Sequence, residues 1–344
     1  MDIDIALILL QDGLTNGAIY ALLALSLVMV FTVTRVIFIP QGELVAFAAL
    51  TYAALNTGHV PGSLWLLLAL GAGAFAMGVV QNRHTITQHG LTFLALECLA
   101  LPIVIMLVTR GVAGARPGVL TAALLTVAIV TPMAPYLHRL AFQPLAEASV
   151  LVLLIAAVGV HLALVGTGLI AFGPEGFRGT PLSTSALVLG DQRIPGQALA
   201  IGALTAALMG LLALFFGRTL TGKALRAVAV NRLGASLVGI GPARSGRIAF
   251  TLAGGIGAVS GVLIAPLTTV YYDSGFLVGL KGFVAAIIGG LLSYPIAVAA
   301  ALLVGCVESL SSFYASAFKE VIVFTTIIPV LLWRSLRSPA EQEE

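Results

Sequence analysis

The chain has 344 residues, 59% of them hydrophobic and only 9% charged, with a formal net charge of +3. A soluble domain carries about 25% charged residues, so a globule this poor in charge cannot cover itself in water and lipid must solvate most of its surface. Mean hydropathy is +1.09 and the pI is near 9.0; the few basic residues lie at helix ends, where a topology signal explains them, and no nucleic acid is expected as a partner.

A span needs about 20 apolar residues. With Gly, Pro and charge clusters read as breaks, eleven candidates follow in chain order: 13–33, 42–56, 62–80, 91–109, 118–137, 149–171, 196–217, 248–270, 278–292, 295–313 and 320–334. The expected fold is all-α, a polytopic integral membrane helical bundle of about 8–11 transmembrane helices, with 1–344 as a single transmembrane domain. The runs are continuously apolar, whereas barrel strands alternate. Those at 42–56, 278–292 and 320–334 are short, and are expected to be tilted, matched by flanking residues, or less than full spans. The opening "MDIDIALILLQDGLTN" is acidic where a signal peptide is basic and has no small-x-small cleavage site, so the first span is expected to be retained.

Basic residues orient this map. With the N-terminus outside, Arg35, Arg83, Arg139, Arg218, Lys223, Arg226, Arg232, Arg244, Arg247, Arg334 and Arg337 fall inside. Arg110, Arg116, Arg178, Arg193 and Lys319 fall outside. The expectation is N-out, C-in. Segment 218–247 carries six basic residues and no acidic one, and reads as a cytoplasmic loop. Segment 172–195 mixes both charge signs with Gly and Pro and falls outside by parity. Two readings stay open for it: a loop that receives a partner or shapes a vestibule, and an ordered connector.

Glu43, Glu97, Lys281 and Glu308 sit within apolar runs. Each costs about 2.5–3.5 kcal/mol at a helix centre, so each should face the bundle interior, water or a partner. Glu43 follows "IPQG", where Pro40 and Gly42 loosen the backbone. It is either a polar element of a path or gate, or a carboxylate that snorkels to the interface. Lys281 and Glu308 occupy successive spans, and an ion pair between them would lock two helices more readily than it would bind substrate. Glu97 has no evident partner. Gly257 and Gly261 form a G-x-x-x-G pattern, whose default reading is close helix packing.

Chemistry-bearing motifs are scarce. His84 and His89 are five apart, which does not place them on one helical face, and no Cys or carboxylate cluster accompanies them or His59, His138 and His161. No metal site is expected. Cys98 and Cys306 lie inside apolar runs and read as small core residues. Residues 217–224, "GRTLTGKA", nearly match the phosphate-binding G-x-x-x-x-G-K-[ST]. Ala224 cannot ligate magnesium, a membrane helix precedes the stretch instead of a strand, and no strand with an acidic metal ligand follows. The next residues, "KALRAVAVNRLGASLVGI" (223–240), combine helix formers with small residues between basic flanks. A short helix there suits either a groove on a cytosolic partner or anionic lipid.

Several blocks carry a family resemblance. "DGLTNGAIYALLALSLVMVFTVTRVIFIPQGELVAFAALTYAAL", "HRLAFQPLAEASVLVLLIAAVGVHLAL" and above all 217–333 resemble the inner-membrane permeases of ABC importers for branched-chain amino acids. The likeness covers about three quarters of the chain. It implies a coupling segment over 218–247, with Ala227, Ala229, Asn231, Ala235, Gly239 and Ile240 lining the face that docks on a cytosolic ATPase and Arg226 and Arg232 flanking it. It further implies a path of polar residues near the first two helices, for which Asn16, Tyr20, Gln41, Gly42 and Glu43 are candidates together with Lys281 and Glu308. The implied partners are a second permease subunit, two ABC ATPases holding ATP and Mg, an external binding protein and membrane lipid, in a bacterial inner membrane. This chain would bind no cofactor. It departs from the family pattern at "IFIPQ" (37–41), "LLSYPI" (291–296) and "RSLRSP" (334–339), and 57–110 reads as an insertion. The alternative is a secondary transporter driven by an ion gradient, with Glu43, Lys281 and Glu308 as coupling groups. Purified alone, the chain is expected to hydrolyse no ATP; robust turnover in a phosphate-release assay would overturn the division of labour.

Overall fold

The computed structural model describes residues 3–82, 88–189 and 192–337. Arg83 and His84, and the end of the "RSLRSP" stretch from Ser338, lie outside them. Helices dominate: α1 (Ile3–Thr34), α2 (Gln41–Asn56), α3 (Ser63–Asn82), α4 (Gln88–Ala95), α5 (Leu101–Ala113), α6 (Val119–Val130), α7 (Met133–Leu137), α8 (Val150–Phe172), α9 (Gly196–Arg218), α10 (Leu220–Val230), α11 (Arg232–Leu237), α12 (Pro242–Ile264), α13 (Ser274–Ile288), α14 (Tyr294–Tyr314), α15 (Lys319–Thr325) and α16 (Ile327–Arg337). Among the described residues, 8 helical segments are long and apolar enough to cross a membrane. The chain is an all-α polytopic bundle.

Eight is fewer than the eleven spans read from the sequence, and the three short candidates account for the difference. Residues 42–56 become α2, only 16 residues long. Buried on nearly every side, it forms part of the core. The candidate at 278–292 becomes the 15-residue α13. That at 320–334 breaks at Thr326 into α15 and α16. Elsewhere the chain runs on through breaks the sequence did not betray. A π-turn over Leu96–Ala100 joins α4 to α5, and another over His138–Phe142 extends α7.

Pro40 stands just before α2, where a missing N–H costs nothing, and Glu43 lies in the first turn, where the helix dipole favours a carboxylate. The approach to α2 is reversed at Arg35, which ends α1 in the left-handed region at φ 63°. Its N–H bonds the carbonyl of Phe31, the usual closure for such a cap.

α1 is the axis of the bundle and makes its most extensive contact with α14. The contact is backbone on backbone: a Cβ at Gly305 would lie 2.6 Å from the Cα of Gly17 and would also strike Gly13. The G-x-x-x-G pair of α12 packs on α2: a Cβ on Gly257 would come 2.9 Å from the Gln41 amide nitrogen, and one on Gly261 would come 2.9 Å from the Ala49 nitrogen. Close packing, the default reading of that motif, is what the pair does.

Segment 172–195 is tied to the bundle at several of its described residues. It contains the one exception to the helical fold among the described residues, a hairpin of β1 (Ala186–Leu189) with β2 (Gln192–Pro195). Phe177 bridges to Val270, Arg178 donates to the Pro266 carbonyl at 2.9 Å, and Tyr52 donates to the Thr180 carbonyl at 3.0 Å. Gln197 ties both sides together, accepting from Leu182 N–H and donating to the Leu263 carbonyl.

Glycine at these crossings is a steric requirement. Gly305→Ala is expected to destabilise the protein by about 1–3 kcal/mol, the usual cost of overpacking. Gly202→Ala, which meets nothing within 4 Å, should leave thermal unfolding in detergent unchanged.

Candidate functional sites

The pathway residues expected from the sequence fall into two separate clusters on opposite faces of α13. Tyr20, Lys281 and Glu308 form the first. The Lys281 ammonium lies 2.6 Å from one Glu308 oxygen, and Tyr20 donates to the other at 2.5 Å. The expected ion pair between successive helices is therefore present. Two residues that the sequence did not single out complete it: Glu320 at 3.2 Å from Lys281, and Lys319 at 3.7 Å from Glu308. Both follow α14 and fold back onto it, so no helical periodicity links them to the pair. Asn16, one turn before Tyr20, lines a polar cavity of about 430 Å³ with Asp12, Thr15, Ser309 and Ser312.

Gln41, Gly42 and Glu43 form the second cluster, in the first turn of α2. Gln41 donates to the Ala253 carbonyl at 2.9 Å. Gly42 lies against Gly275 and Gly279 of α13, and a Cβ on it would come 2.9 Å from the Gly279 Cα. Glu43 does not snorkel. Its side chain is 0% exposed, and one oxygen is 2.8 Å from His161 Nδ1 while the other has no hydrogen-bond partner among the described residues. His161 is at the middle of α8 and was considered from the sequence only as a metal ligand. Its signal was an ionisable residue in mid-span.

Glu97 has partners after all. Arg247 lies 3.1 Å away and Arg139 3.5 Å away, and Arg139 also reaches Cys98 Sγ at 2.8 Å. The three charged residues come from α12, the π-turn after α7 and the π-turn after α4, far apart in sequence. Three charges sharing one site are each partly neutralised, which lowers the cost of holding them at this depth.

The segment after α9 is two short helices, not one. Thr219 caps α10, its hydroxyl accepting from Gly222 N–H at 2.9 Å. Asn231 breaks the helix and caps α11, accepting from Gly234 N–H at 2.8 Å. Gly239 ends α11 at φ 85°, with its own N–H on the Ser236 carbonyl and Ile240 N–H on that of Ala235. That pair of bonds is a Schellman motif.

This geometry corrects the expected docking face. Ala235 is only 4% exposed and packs inward with Val33, Leu225, Val228 and Ala249, and Ala227 and Ile240 pack against that same cluster. Arg232 turns inward to the Ala146 carbonyl at 3.2 Å, and Arg226 borders a cavity with Leu25, Met29 and Tyr294. Ala229 is half-buried, and Asn231 and Gly239 are exposed. The outward face is aliphatic: Val230, Leu233, Leu237 and Val238 are 86%, 72%, 80% and 75% exposed. Ala227 and Ala235 meet the bundle, where a larger side chain would have to displace their neighbours.

Residues 9–331 match the family model described as branched-chain amino acid transport system / permease component. The chain belongs to this permease family. BraD of Pseudomonas aeruginosa, a high-affinity branched-chain amino acid transport system permease protein, is 28% identical over 81% of this chain and 92% of its own length. LivH of Salmonella typhimurium and of Escherichia coli K12, carrying the same description, are 27% and 28% identical over 80% of this chain and 91% of theirs. No solved structure matches. The permease is thus a multi-pass membrane component of a larger transport system.

Lys281 is the keystone of the first cluster. Lys281→Met should lower stability by about 3–5 kcal/mol, because it strands the Glu308 carboxylate. Lys281→Met combined with Glu308→Gln should recover part of that loss in thermal unfolding, whereas an additive loss would refute the coupling.

Proposed function

We propose that this permease is the membrane-spanning subunit of a bacterial ABC importer, working in the inner membrane with a second permease subunit, two cytosolic ATPases and an external binding protein. ATP and Mg stay on the ATPases. Closure of the paired ATPases rocks the permease halves and alternates access to the path, through which branched-chain amino acids or related small polar solutes pass. The N-terminus lies outside and the C-terminus inside, and residues 57–110 are an addition to the compact family pattern.

One observation carries this reading. Segment 218–247, from the end of α9 into the start of α12, has six basic residues and no acidic one, and it holds four aliphatic side chains outward on and beside two capped helices. Caps and a packed inner face give the segment the rigidity needed to transmit force. An apolar outer face gives it something to insert into a groove. Lys281–Glu308 holds α13 on α14, while the Glu43 cluster and the Asn16 cavity line the path.

Leu237→Glu tests the docking face. It is expected to abolish ATP-dependent leucine uptake and binding-protein-stimulated ATP hydrolysis by the assembled complex, with membrane insertion unchanged. Uptake at the parental rate would show that the segment meets no motor. Uptake that persists without nucleotide and collapses with an uncoupler would establish a gradient-driven transporter instead.

A further inference from the structure

We propose that the cavity between α1, α8 and α13 is a chamber for an apolar α-amino acid, in which His161, backed by Glu43, accepts the substrate's ammonium group. This deepens the transport assignment above and rests on its substrate class.

The chamber has a volume of about 370 Å³, within the roughly 300–1,000 Å³ of small-molecule sites. Its walls are Leu27, Ile39, Val158, Leu162, Phe276 and Phe283, completed by Gly279 and Leu280. Such walls suit a branched aliphatic side chain. Among the described residues, His161 is the one polar side chain in the lining. It stands at mid-span, stacked on Phe276 with ring centroids 4.8 Å apart.

Glu43 determines what His161 offers. With Glu43 ionised, its carboxylate only accepts hydrogen bonds, and the hydrogen shared between them sits on Nδ1. Nε2 is then left as an acceptor, and it has no hydrogen-bond partner among the described residues. In that state the fully buried carboxylate behind the ring makes the chamber attractive to a cation. A lipid tail would fill the apolar volume and leave the acceptor unmet. A ligand that brings both an alkyl group and an N–H donor satisfies every wall. Gly42 against Gly279 holds the dyad in place, because it lets the start of α2 approach α13 to backbone contact.

The test uses the importer assembled with its partner subunits in proteoliposomes, with Leu162→Cys as a reporter in the chamber wall. A thiol reagent labels position 162, and peptide mass spectrometry follows the rate with L-leucine or with 4-methylpentanoate, which lacks the amine. Leucine is expected to slow labelling several-fold, and 4-methylpentanoate to leave it unchanged. Adding His161→Leu should weaken leucine protection roughly 10-fold, the worth of one hydrogen bond to a charged group, while His161→Gln, which keeps an acceptor, retains part of it. Absence of protection by leucine, equal protection by 4-methylpentanoate, or full protection with His161→Leu would each overturn the proposal. Leucine uptake by the parent is measured alongside. Uptake without protection removes the chamber and leaves the transport assignment standing; protection without uptake removes the assignment and leaves the chamber.

Discussion

Backbone-to-backbone approach at glycine is the constraint on which this structure rests. Lipid tails are as apolar as leucine, so helices gain nothing by hiding from lipid and must associate through packing and hydrogen bonds. Three glycine contacts supply that packing: Gly13 and Gly17 with Gly305, Gly42 with Gly275 and Gly279, and Gly257 and Gly261 with the side of α2. Each brings two helices closer than any side chain permits. The polar groups then fall where those crossings put them. Glu43 is one residue beyond the Gly42 contact, and Glu308 is three residues beyond Gly305.

α13 is the element that both polar clusters share. One face carries Lys281, neutralised by Glu308 and Glu320. The other presents Gly275 and Gly279 to the start of α2, beside Glu43 and His161. At 15 residues it is too short to be held by lipid contacts along a full span. It packs on α1 and is joined to its neighbours by the ion pair on one side and the glycine contact on the other, so a displacement of this helix disturbs both clusters together.

The stretch "GRTLTGKA" shows how one pattern carries different physics in different settings. In a nucleotide-binding fold its glycines would wrap a phosphate. Here Gly217 ends a membrane helix, Thr219 caps the next one, and Gly222 permits that helix to turn back against Phe215 and Phe216. Lys223 is exposed on a loop without a single acidic residue. The segment turns back on the end of α9 and offers an aliphatic face.

Much of this was legible in the residues alone. Scarcity of charge dictated lipid as the solvent, and apolar run length placed the full spans. G-x-x-x-G announced tight packing in α12, because small residues at that spacing always share a helix face. Lys281 and Glu308 could be matched because they lie on successive helices with opposite charge. Tertiary structure alone decided the rest. It assigned Glu97 to Arg139 and Arg247, Glu43 to His161, and Ala235 of α11 to the bundle side. The reason is physical: a helix reveals its own periodicity in sequence, but which helix faces which is settled by contacts between residues 42, 118 and 150 positions apart, and no local pattern records them.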